Sequence, residues 1–578
     1  MSARAGASGL RRALEDLDGA PYARHRSLSG RPWPLLDDPA GRCEVLLRQP
    51  QADPFAPPAR WEVRCTGTPF AALGLDGAVR RRAVAGFLAR AAAAAAGPFR
   101  IDAGGQEVLQ RSSCEVSADG SLVLRLGYPL PGPRRRLDGR RAAEDLTARL
   151  PRLLRERVLG CDLDAARAFA DAVEDADALR RRLPGLGLVA FVADGAVLPR
   201  RSGVDDRPAL DAVPFSSPPS LRTTVELPHR GPTTGMGVPT GVTVVVGGGF
   251  HGKSTLLRAL EAGVHDHVPG DGRELVVTRA DAAAVRAEDG RAVTGVDVGA
   301  FVTGLPGGLD PRAFTTADAS GSTSQAAATV EALEAGSRLL LLDEDTAATN
   351  LMVRDARMQQ LVAKASEPLN PFVDLVRPLA EDHGVSTVLV VGASGDFLDV
   401  ADRVLLMESF RCSDVSERAR EVARRPSGRV AEAGRFPPVR DRVPDPVGVD
   451  AHARGRRRVA ALGTDALRLG EHEVDVRAVR QFTDAGQVAG AGHALAHAVA
   501  AGHLDGRRAL ARVLDLLEAD LAGAVTGWLG GAEADVAVPR RHEVAAALNR
   551  VRGLRVTRLL DDPIGGSSAA PAPPTSPG

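Results

Sequence analysis

The feature that most constrains the fold is the stretch 247–255, which reads Gly-Gly-Gly-Phe-His-Gly-Lys-Ser-Thr. It follows the apolar run Val242–Val246 and precedes a helical pattern that begins at Leu256. This is the G-x-x-x-x-G-K-S pattern of a phosphate-binding loop, in the strand–loop–helix context that the pattern requires. Glycines allow backbone N–H groups to turn towards a phosphate chain, and the following helix adds its free N–H groups and the positive end of its dipole. The sequence therefore predicts a phosphate-chain site here.

Residues of this loop have separate expected roles. Lys253 would reach the β- and γ-phosphates as a compact cation, and the Ser254 hydroxyl would bind Mg²⁺. The chain has 73 Lys+Arg, yet only Lys253 and Lys364 are lysines. Because arginine carries the same charge with a different geometry, a lysine kept at this position in an arginine-biased chain is informative. The expected phosphate-binding residues of the loop are Gly248, Gly249, Gly252, Lys253, Ser254 and Thr255.

Composition sets wider limits. A length of 578 residues corresponds to about three to four domains, and the 3% aromatic content predicts mainly aliphatic cores. Zero net charge gives no overall attraction to nucleic acid or to a membrane. No apolar run approaches the ~20 residues that span a bilayer, and the N-terminus lacks a signal sequence, so we expect a cytoplasmic protein without a membrane partner. The five cysteines are scattered, and neither a zinc site nor a disulfide framework is predicted.

Strands alternate with helices in the central part of the chain, which predicts a largely parallel sheet. We expect the segment Leu221–Leu227 to pair with the sheet of the phosphate-loop strand, and Glu288–Arg291 to form a hairpin turn. The segment 411–458 carries 13 Arg against seven Asp and Glu, which is typical of a basic linker. The predicted divisions are an N-terminal α/β domain (1–165), an ATPase domain (166–412), a basic linker or arm (413–458), a C-terminal domain (459–562) and a disordered tail (563–578).

A second motif lies 90 positions after Lys253, where Leu339–Leu342 is followed by Asp343 and Glu344. A buried strand that ends in two acids is the Walker B pattern. Asp343 would hold Mg²⁺ directly or through water, and Glu344 would act as the general base for an attacking water. Together with the phosphate loop, this motif predicts nucleotide hydrolysis.

A third motif, Ser320-Gly321-Ser322, stands at the start of a predicted helix that leads to this strand. Small hydroxyl groups and free N–H groups at a helix N-terminus suit a γ-phosphate. The alternative is an ordinary helix N-cap.

Taken together, these motifs resemble those of the ABC-class P-loop ATPases, and Ser320-Gly-Ser resembles their signature. The similarity is closer to one soluble branch, the predicted ATPases of the ABC class, which have an N-terminal domain, a central ATPase domain and a small C-terminal domain. It covers roughly residues 10 to 555. Further phrases that carry the resemblance lie at 53–58, 105–109, 185–195, 235–239, 268–273, 286–291 and 391–396.

The resemblance implies an α/β fold of the ABC-type P-loop NTPases, with a mixed, largely parallel sheet and flanking helices. It also implies an α/β N-terminal domain, a smaller and mostly helical C-terminal domain, and ATP and Mg²⁺ as ligands. In ABC-class proteins two copies enclose ATP between them, so Ser320 and Gly321 would act on the nucleotide of a partner copy. Asn350 stands where the family usually has the Asp of its D-loop.

The sequence departs from the family at two points. The strand after Walker B is followed by Gly392-Ala-Ser394 without the usual His, and Ser394 could replace its contact but not its proton. No Gln lies in the 67 positions between Lys253 and Ser320, and this interval has no long helical insert with which a transporter would bind a membrane partner. Slow hydrolysis is therefore predicted. The residue that contacts adenine is not assigned, and Phe215 is interpreted as core.

Three functions were weighed. The first is an ATPase that couples hydrolysis to opening and closing of a homodimer. The alternative is an ATP-gated protein that binds RNA, DNA or a ribonucleoprotein with little hydrolysis, for which the basic arm and Arg134–Arg136 argue. A P-loop kinase is disfavoured by Ser320-Gly-Ser, which a kinase does not need.

Overall fold

The N-terminal part is an antiparallel sheet covered by helices, in a computed structural model that describes residues 7–529, 531 and 533–560. Its strand order is β1-β2-β3-β5-β4. The strands alternate between buried and exposed residues, as a sheet with one covered face requires. The elements are α1 (Ser8–Glu15), β1 (Trp33–Asp38), β2 (Gly41–Gln49), β3 (Ala59–Thr66), α2 (Ala78–Ala93), β4 (Cys114–Val116), β5 (Leu122–Tyr128), α3 (Gly139–Glu144) and α4 (Leu150–Leu153).

A disulfide bond joins two strands of this sheet. Cys43 of β2 lies opposite Cys65 of β3 in the register, and the two residues form the bond. The sequence predicted no disulfide framework, and this interpretation missed the pair. The reason is that a separation of 22 residues says nothing about pairing until the register of the two strands is known.

The central part contains two sheets and a separate strand pair. Its elements are α5 (Leu163–Arg182), β6 (Leu188–Ala193), β7 (Arg222–Leu227), β8 (Gly231–Pro239), β9 (Val242–Val246), α6 (Lys253–Ala262), β10 (Val276–Thr278), β11 (Ala282–Val285), β12 (Arg291–Val296), β13 (Phe314–Ala319), α7 (Gly321–Glu334), β14 (Leu339–Asp343), α8 (Thr349–Met352), α9 (Ala356–Leu361), α10 (Phe372–His383), β15 (Ser386–Val390), β16 (Arg403–Glu408), β17 (Arg411–Asp414) and α11 (Ser416–Ala423).

The larger sheet has the order β11-β14-β15-β9-β16-β17. The first five strands are parallel, and β17 is antiparallel to β16. All five residues of β14 and of β15 are buried, which explains their largely apolar sequence. The predicted fold class, an ABC-type P-loop domain with a mixed and largely parallel sheet, is confirmed.

The second sheet is antiparallel and has the order β10-β6-β8-β7. Since β7 pairs with β8, the prediction that Leu221–Leu227 joins the sheet of the phosphate-loop strand is wrong. The hairpin expected at Glu288–Arg291 is also wrong, because β11 pairs with β14 and β12 pairs with β13. The turn at 288–291 is therefore a crossover from one sheet to another.

The described residues of the C-terminal part form four helices and several short strands. Its elements are β18 (Asp441–Pro444), β19 (His452–Ala453), β20 (Arg456–Arg457), β21 (Val459–Leu462), β22 (Ala466–Leu469), β23 (His472–Asp475), α12 (Ala485–Ala500), α13 (Leu510–Leu521), α14 (Val525–Leu529), α15 (Arg541–Asn549) and β24 (Val556–Leu560). Within the predicted basic arm, Arg442 of β18 is buried and its Nε lies 2.8 Å from Glu334 of α7. The divisions of the chain remain a prediction, and the tail 563–578 lies outside the described residues. Among the described helices, none combines the length and the apolar character that crossing a bilayer requires.

Candidate nucleotide-binding site

The glycine-rich loop connects the end of β9 to the start of α6, as the sequence predicts. Phe250 and Gly252 have positive φ values of 63° and 99°. A Cβ atom on Gly252 would lie 2.9 Å from a ring carbon of Phe410, so the backbone conformation and the close neighbour both require glycine. Gly248, Gly249 and Phe250 are exposed, which leaves the loop open to a ligand.

Lys253 is folded back over this loop. Its ammonium group donates hydrogen bonds to the carbonyl oxygens of Gly247 at 2.7 Å and Gly248 at 2.9 Å. Ser254 and Thr255 follow in the first turn of α6 and are half-buried. The positive charge is therefore held at the N-terminus of a helix, where an anion is favoured.

A second loop supports the glycine-rich loop from the side. The backbone N–H of Ser409 donates to Nδ1 of His251 at 2.8 Å, and the N–H of Phe410 donates to the His251 carbonyl at 3.1 Å. Both residues lie in the turn between β16 and β17 and have positive φ values, 49° and 63°. Sequence reasoning missed this contact, because nothing in the residue pattern indicates which turn lies beside His251.

Asp343 lies at the same edge of the sheet as the loop. The register places it beside Val390 of β15, and Val390 beside Val245 of β9. It is therefore two strand spacings, or roughly 10 Å, from the end of β9. The carboxylate is 8% exposed and accepts a hydrogen bond from the Asp345 N–H at 3.2 Å.

Glu344 contacts the loop that follows β15. Its Oε2 accepts hydrogen bonds from the N–H groups of Gly392 at 2.5 Å and Ala393 at 3.0 Å. Ser394 comes next, and its Oγ is buried without a hydrogen-bond partner among the described residues. The loop in which the sequence lacks the family's His is thus in direct contact with the predicted general base.

The predicted signature begins α7. Ser320 caps the helix, because its Oγ accepts the Thr323 N–H at 3.4 Å, and this oxygen also lies 3.3 Å from Oγ of Ser322. Ser320 is exposed, and Gly321 and Ser322 are half-buried. The geometry of an N-cap is present, and the hydrogen bonds of the Ser320 hydroxyl stay within its own turn.

One buried side chain links this helix to the segment after the two acids. Oε1 of Gln325 accepts the Ala348 N–H at 2.6 Å, and its Nε2 lies 3.1 Å from the sulfur of Met352. Asn350 is exposed in the same segment. Sequence reasoning missed the role of Gln325, because a glutamine in a helix gives no sign of its partner.

Asp343 lies near two further charged groups, Glu261 and Arg286, and influences their pKa values. Burial raises the pKa of Glu261 on α6, while Arg286, whose Nη2 lies 3.9 Å from its Oε1, lowers it. Burial also lowers the pKa of Arg286, against the effects of Glu261 and Asp343. The hydroxyl of Ser254 and the carboxylate of Asp343 supply the oxygen ligands that Mg²⁺ prefers, so their chemistry fits that ion.

A cavity of about 870 Å³ opens beside Thr255 and follows α6 to Ala262. Its charged lining is Glu107, Arg200, Asp206, Arg258, Glu261, Arg273 and Arg480. Phe215 does not contribute to it, since this residue is 3% exposed in the core behind the second sheet.

The parallel sheet, with β9 leading through the glycine-rich loop into α6, defines a P-loop NTPase fold of ABC type. Family models match three successive parts of the chain: the N-terminal domain of ATPases of the ABC class (7–161), the P-loop domain of the ABC ATPases (162–442) and the MRB1590 C-terminal domain (458–557). The first two matches adjoin and together cover residues 7–442, and the third follows them, so the chain belongs to the ATPases of the ABC class.

Two individual proteins are similar to this chain. An uncharacterized protein of Methanocaldococcus jannaschii is 30% identical over 246 residues, which are 40% of this chain and 53% of that protein. The chain thus spans about half the length of this curated relative. The solved structure of cbiO1 from Clostridium perfringens, part of the ABC transporter complex cbiONQ, has a TM-score of 0.23 and 15% identity. The matched region covers 39% of this chain and 87% of the cbiO1 chain.

Proposed function

We propose that the chain binds and hydrolyses Mg-ATP at a site that two copies of the protein complete together. The observation that carries this proposal is the common sheet edge at which the glycine-rich loop, Asp343 and the Glu344 contact with the loop after β15 meet. These are the parts that phosphoryl transfer to water requires: a phosphate cradle, a metal ligand and a base.

In this proposal, Lys253 leaves the carbonyls of Gly247 and Gly248 and binds the β- and γ-phosphates. Ser254 and Asp343 would hold Mg²⁺, and the ion when bound would neutralise charge on the phosphate oxygens. Glu344 accepts a proton from a water molecule as the water oxygen bonds to the γ-phosphorus and ADP leaves. The nucleoside end extends past Thr255 into the adjoining cavity, which is large enough for a base and a ribose.

The proposal of a second copy rests on residues that are exposed in a single chain. Ser320 is exposed at the start of α7, and Gly248, Gly249 and Phe250 are exposed in the glycine-rich loop. A two-fold dimer that brings each loop opposite the partner's α7 would place Ser320 and Gly321 at the γ-phosphate and Asn350 beside them. ATP then supplies the contact between the copies, so its hydrolysis opens the dimer.

The test is the variant Glu344→Gln, compared with wild type for phosphate release and for mass in solution. Gln keeps an oxygen that accepts the N–H groups of Gly392 and Ala393 but cannot take a proton, so we expect hydrolysis to fall about 100-fold or more and an ATP-bound dimer to accumulate. Asp345→Asn, a change of the neighbouring exposed acid, serves as the control and should retain wild-type turnover. Normal hydrolysis by Glu344→Gln would refute the assignment of the base.

A second candidate function is ATP-gated binding of RNA or DNA, and one observation favours it. The short hairpin of β19 and β20 exposes Arg454, Arg456 and Arg458 around its tip. Contacts between this tip and phosphates would make affinity fall steeply with salt, and removing three arginines would reduce the slope of log K against log salt by about 2 to 3. An unchanged slope would exclude the hairpin as a nucleic-acid contact.

A further inference from the structure

Three side chains of the C-terminal part lie close together in space. They are distant in sequence from the glycine-rich loop. Nε2 of His497 and Nε2 of His503 each lie 2.7 Å from the same oxygen, Oδ2 of Asp520. The ring centroids of the two histidines are 6.0 Å apart. Both imidazoles are about four-fifths buried, and the carboxylate is 38% exposed. The group is therefore partly enclosed and still open to solvent on one side.

The backbone explains why these residues meet. His497 lies in the last turn of α12, and Gly502 then adopts a left-handed conformation with φ 69°. This turn reverses the chain, and the His503 N–H donates to the Ala498 carbonyl at 2.9 Å. His503 is thereby fixed beside the end of α12, while Asp520 reaches the same point from the last turn of α13. Two rigid helices and a capped turn hold the three ligands.

We propose that His497, His503 and Asp520 bind a divalent transition-metal ion, with Zn²⁺ as the best fit. Two imidazoles and a carboxylate are ligands that Zn²⁺ accepts, with water in the fourth position. The three ligand atoms lie within 4.8 Å of one another. In a tetrahedral site with bonds of about 2.0–2.1 Å, ligand atoms are about 3.3 Å apart, so small side-chain rotations make room for the ion.

Binding of the ion replaces the two hydrogen bonds to Asp520. Each imidazole would then coordinate through Nε2 and carry a proton on Nδ1. The position at the C-terminal end of α12 adds the negative end of a helix dipole, which favours a cation.

A second group of three potential metal ligands in this chain is already occupied by a cation. Asp171, Glu174 and His229 also bring three ligand atoms together. There, however, the Arg80 guanidinium lies 2.8 Å from Asp171 and 2.6 Å from Glu174, so a cation already occupies the position of a metal. Near the proposed site, the Arg508 guanidinium is bound instead to Asp505 at 2.7 Å and to the Gly502 carbonyl at 2.6 Å.

The ion would join the end of α12 to the end of α13. A metal that binds only the folded state stabilises that state by mass action. The bound ion would therefore stabilise the packing of the helices of the C-terminal part. It is separate from the Mg-ATP site and independent of the proposed hydrolysis.

The experiment uses the full chain, stripped of metal with a chelator and kept free of nucleotide. Co²⁺ is titrated while the visible absorbance of the ion is recorded, Zn²⁺ is then added as competitor, and bound zinc is counted by elemental analysis. We expect one equivalent of Co²⁺ in a low-symmetry site, its displacement by Zn²⁺, and a higher unfolding temperature with Zn²⁺.

The variants Asp520→Asn and His503→Gln should each weaken Co²⁺ binding at least about tenfold while retaining the circular dichroism of the metal-free protein. His229→Gln, at the group filled by Arg80, and Asp343→Asn, at the ATP site, should bind Co²⁺ as the wild type does. The site is supported if both C-terminal variants lose Co²⁺ binding while His229→Gln and Asp343→Asn retain it. No binding by the wild type, or binding retained by either C-terminal variant, overturns it.

Discussion

At the scale of one residue, the contacts of Lys253 indicate how the proposed site should change when a ligand binds. Its ammonium group uses the carbonyls of its own loop as partners, and these are weaker acceptors than the charged oxygens of a phosphate chain. A ligand with two or three phosphates should therefore draw the side chain away from the loop and cover it. The chain contains only one other lysine, Lys364, which makes this exchange easy to follow.

We predict that ATP protects Lys253 from acetylation and leaves Lys364 unprotected. Lys364 donates hydrogen bonds to the carbonyls of Glu367 and Leu369 and to Oδ1 of Asn370, away from the loop. Treatment with an amine-reactive acetylating reagent, with and without Mg-ATP, followed by peptide mass mapping, gives the modified fraction at each lysine. With ATP at saturation, we expect the modification rate of Lys253 to fall about tenfold or more, as the amine becomes engaged in charge-assisted hydrogen bonds. Equal modification of Lys253 with and without ATP would contradict its proposed contact with phosphate.

At the scale of elements, Gln325 is the connection between α7 and the segment that follows Glu344. It is fully buried, and it provides the acceptor for the Ala348 N–H. Movement of the first turn of α7 towards a partner's nucleotide would therefore also displace the backbone close to the proposed base. This gives a physical path between the predicted signature and the proposed site of hydrolysis within one chain.

We predict that Gln325→Ala destabilises the central part by about 1–3 kcal/mol, because the Ala348 N–H loses its acceptor. Gln359→Ala is the matched control: this glutamine also bonds a backbone, through Val430 at 2.8 Å and 2.9 Å, but it is only half-buried and both hydrogen bonds are exposed, so its loss should cost less than about 0.5 kcal/mol. Thermal unfolding with and without ATP measures both. Equal shifts in the two variants would show that Gln325 is an ordinary surface contact.

The elements also show how far the sequence determines this fold. The strands β9, β14 and β15 are largely apolar, and a buried parallel sheet follows from that pattern. The pairing of β7 and the crossover at 288–291 were predicted wrongly, since alternation and turn residues are the same whichever sheet a strand joins. Cys43 and Cys65 were missed for a related reason, because their contact depends on register.

The residues of the candidate site also fall into two groups, those that a local motif predicts and those that no local motif predicts. Lys253, Ser254, Asp343 and Glu344 are named by motifs, because their spacing to a strand or helix end is local. His251 with Ser409, Gln325 with Ala348, and Arg286 with Glu261 pair residues that are distant along the chain, and no local pattern indicates such partners. The roles of the motif residues remain predictions until nucleotide is bound.

At the scale of the whole molecule, the C-terminal part is joined to the glycine-rich loop's helix through buried polar contacts. Nε2–H of His265, three residues beyond α6, donates to the Gln481 carbonyl at 3.1 Å. The Gln481 side chain in turn donates to the Ala282 carbonyl at 3.2 Å and accepts the Ala284 N–H at 3.1 Å. These hydrogen bonds connect α6, β11 and the C-terminal part. Their loss should therefore weaken the association of the C-terminal part with α6 and β11.

We predict that acidification weakens this junction through His265. Burial, with a smaller effect of Arg540, lowers the pKa of His265 from 6.5 to about 3. As pH falls below 6.5 the unfolded chain takes up this proton and the folded chain does not, so stability falls by about 1.4 kcal/mol per pH unit from this residue, down to about pH 3. His265→Gln keeps an N–H donor and does not titrate. Urea midpoints at pH 7.5 and 5.5 should therefore fall more for wild type than for the variant, by the equivalent of about 1.4 kcal/mol. Asp441, whose pKa burial raises to about 6, acts in the opposite direction but equally in both proteins. Parallel pH dependences would show that His265 does not remain neutral at the junction.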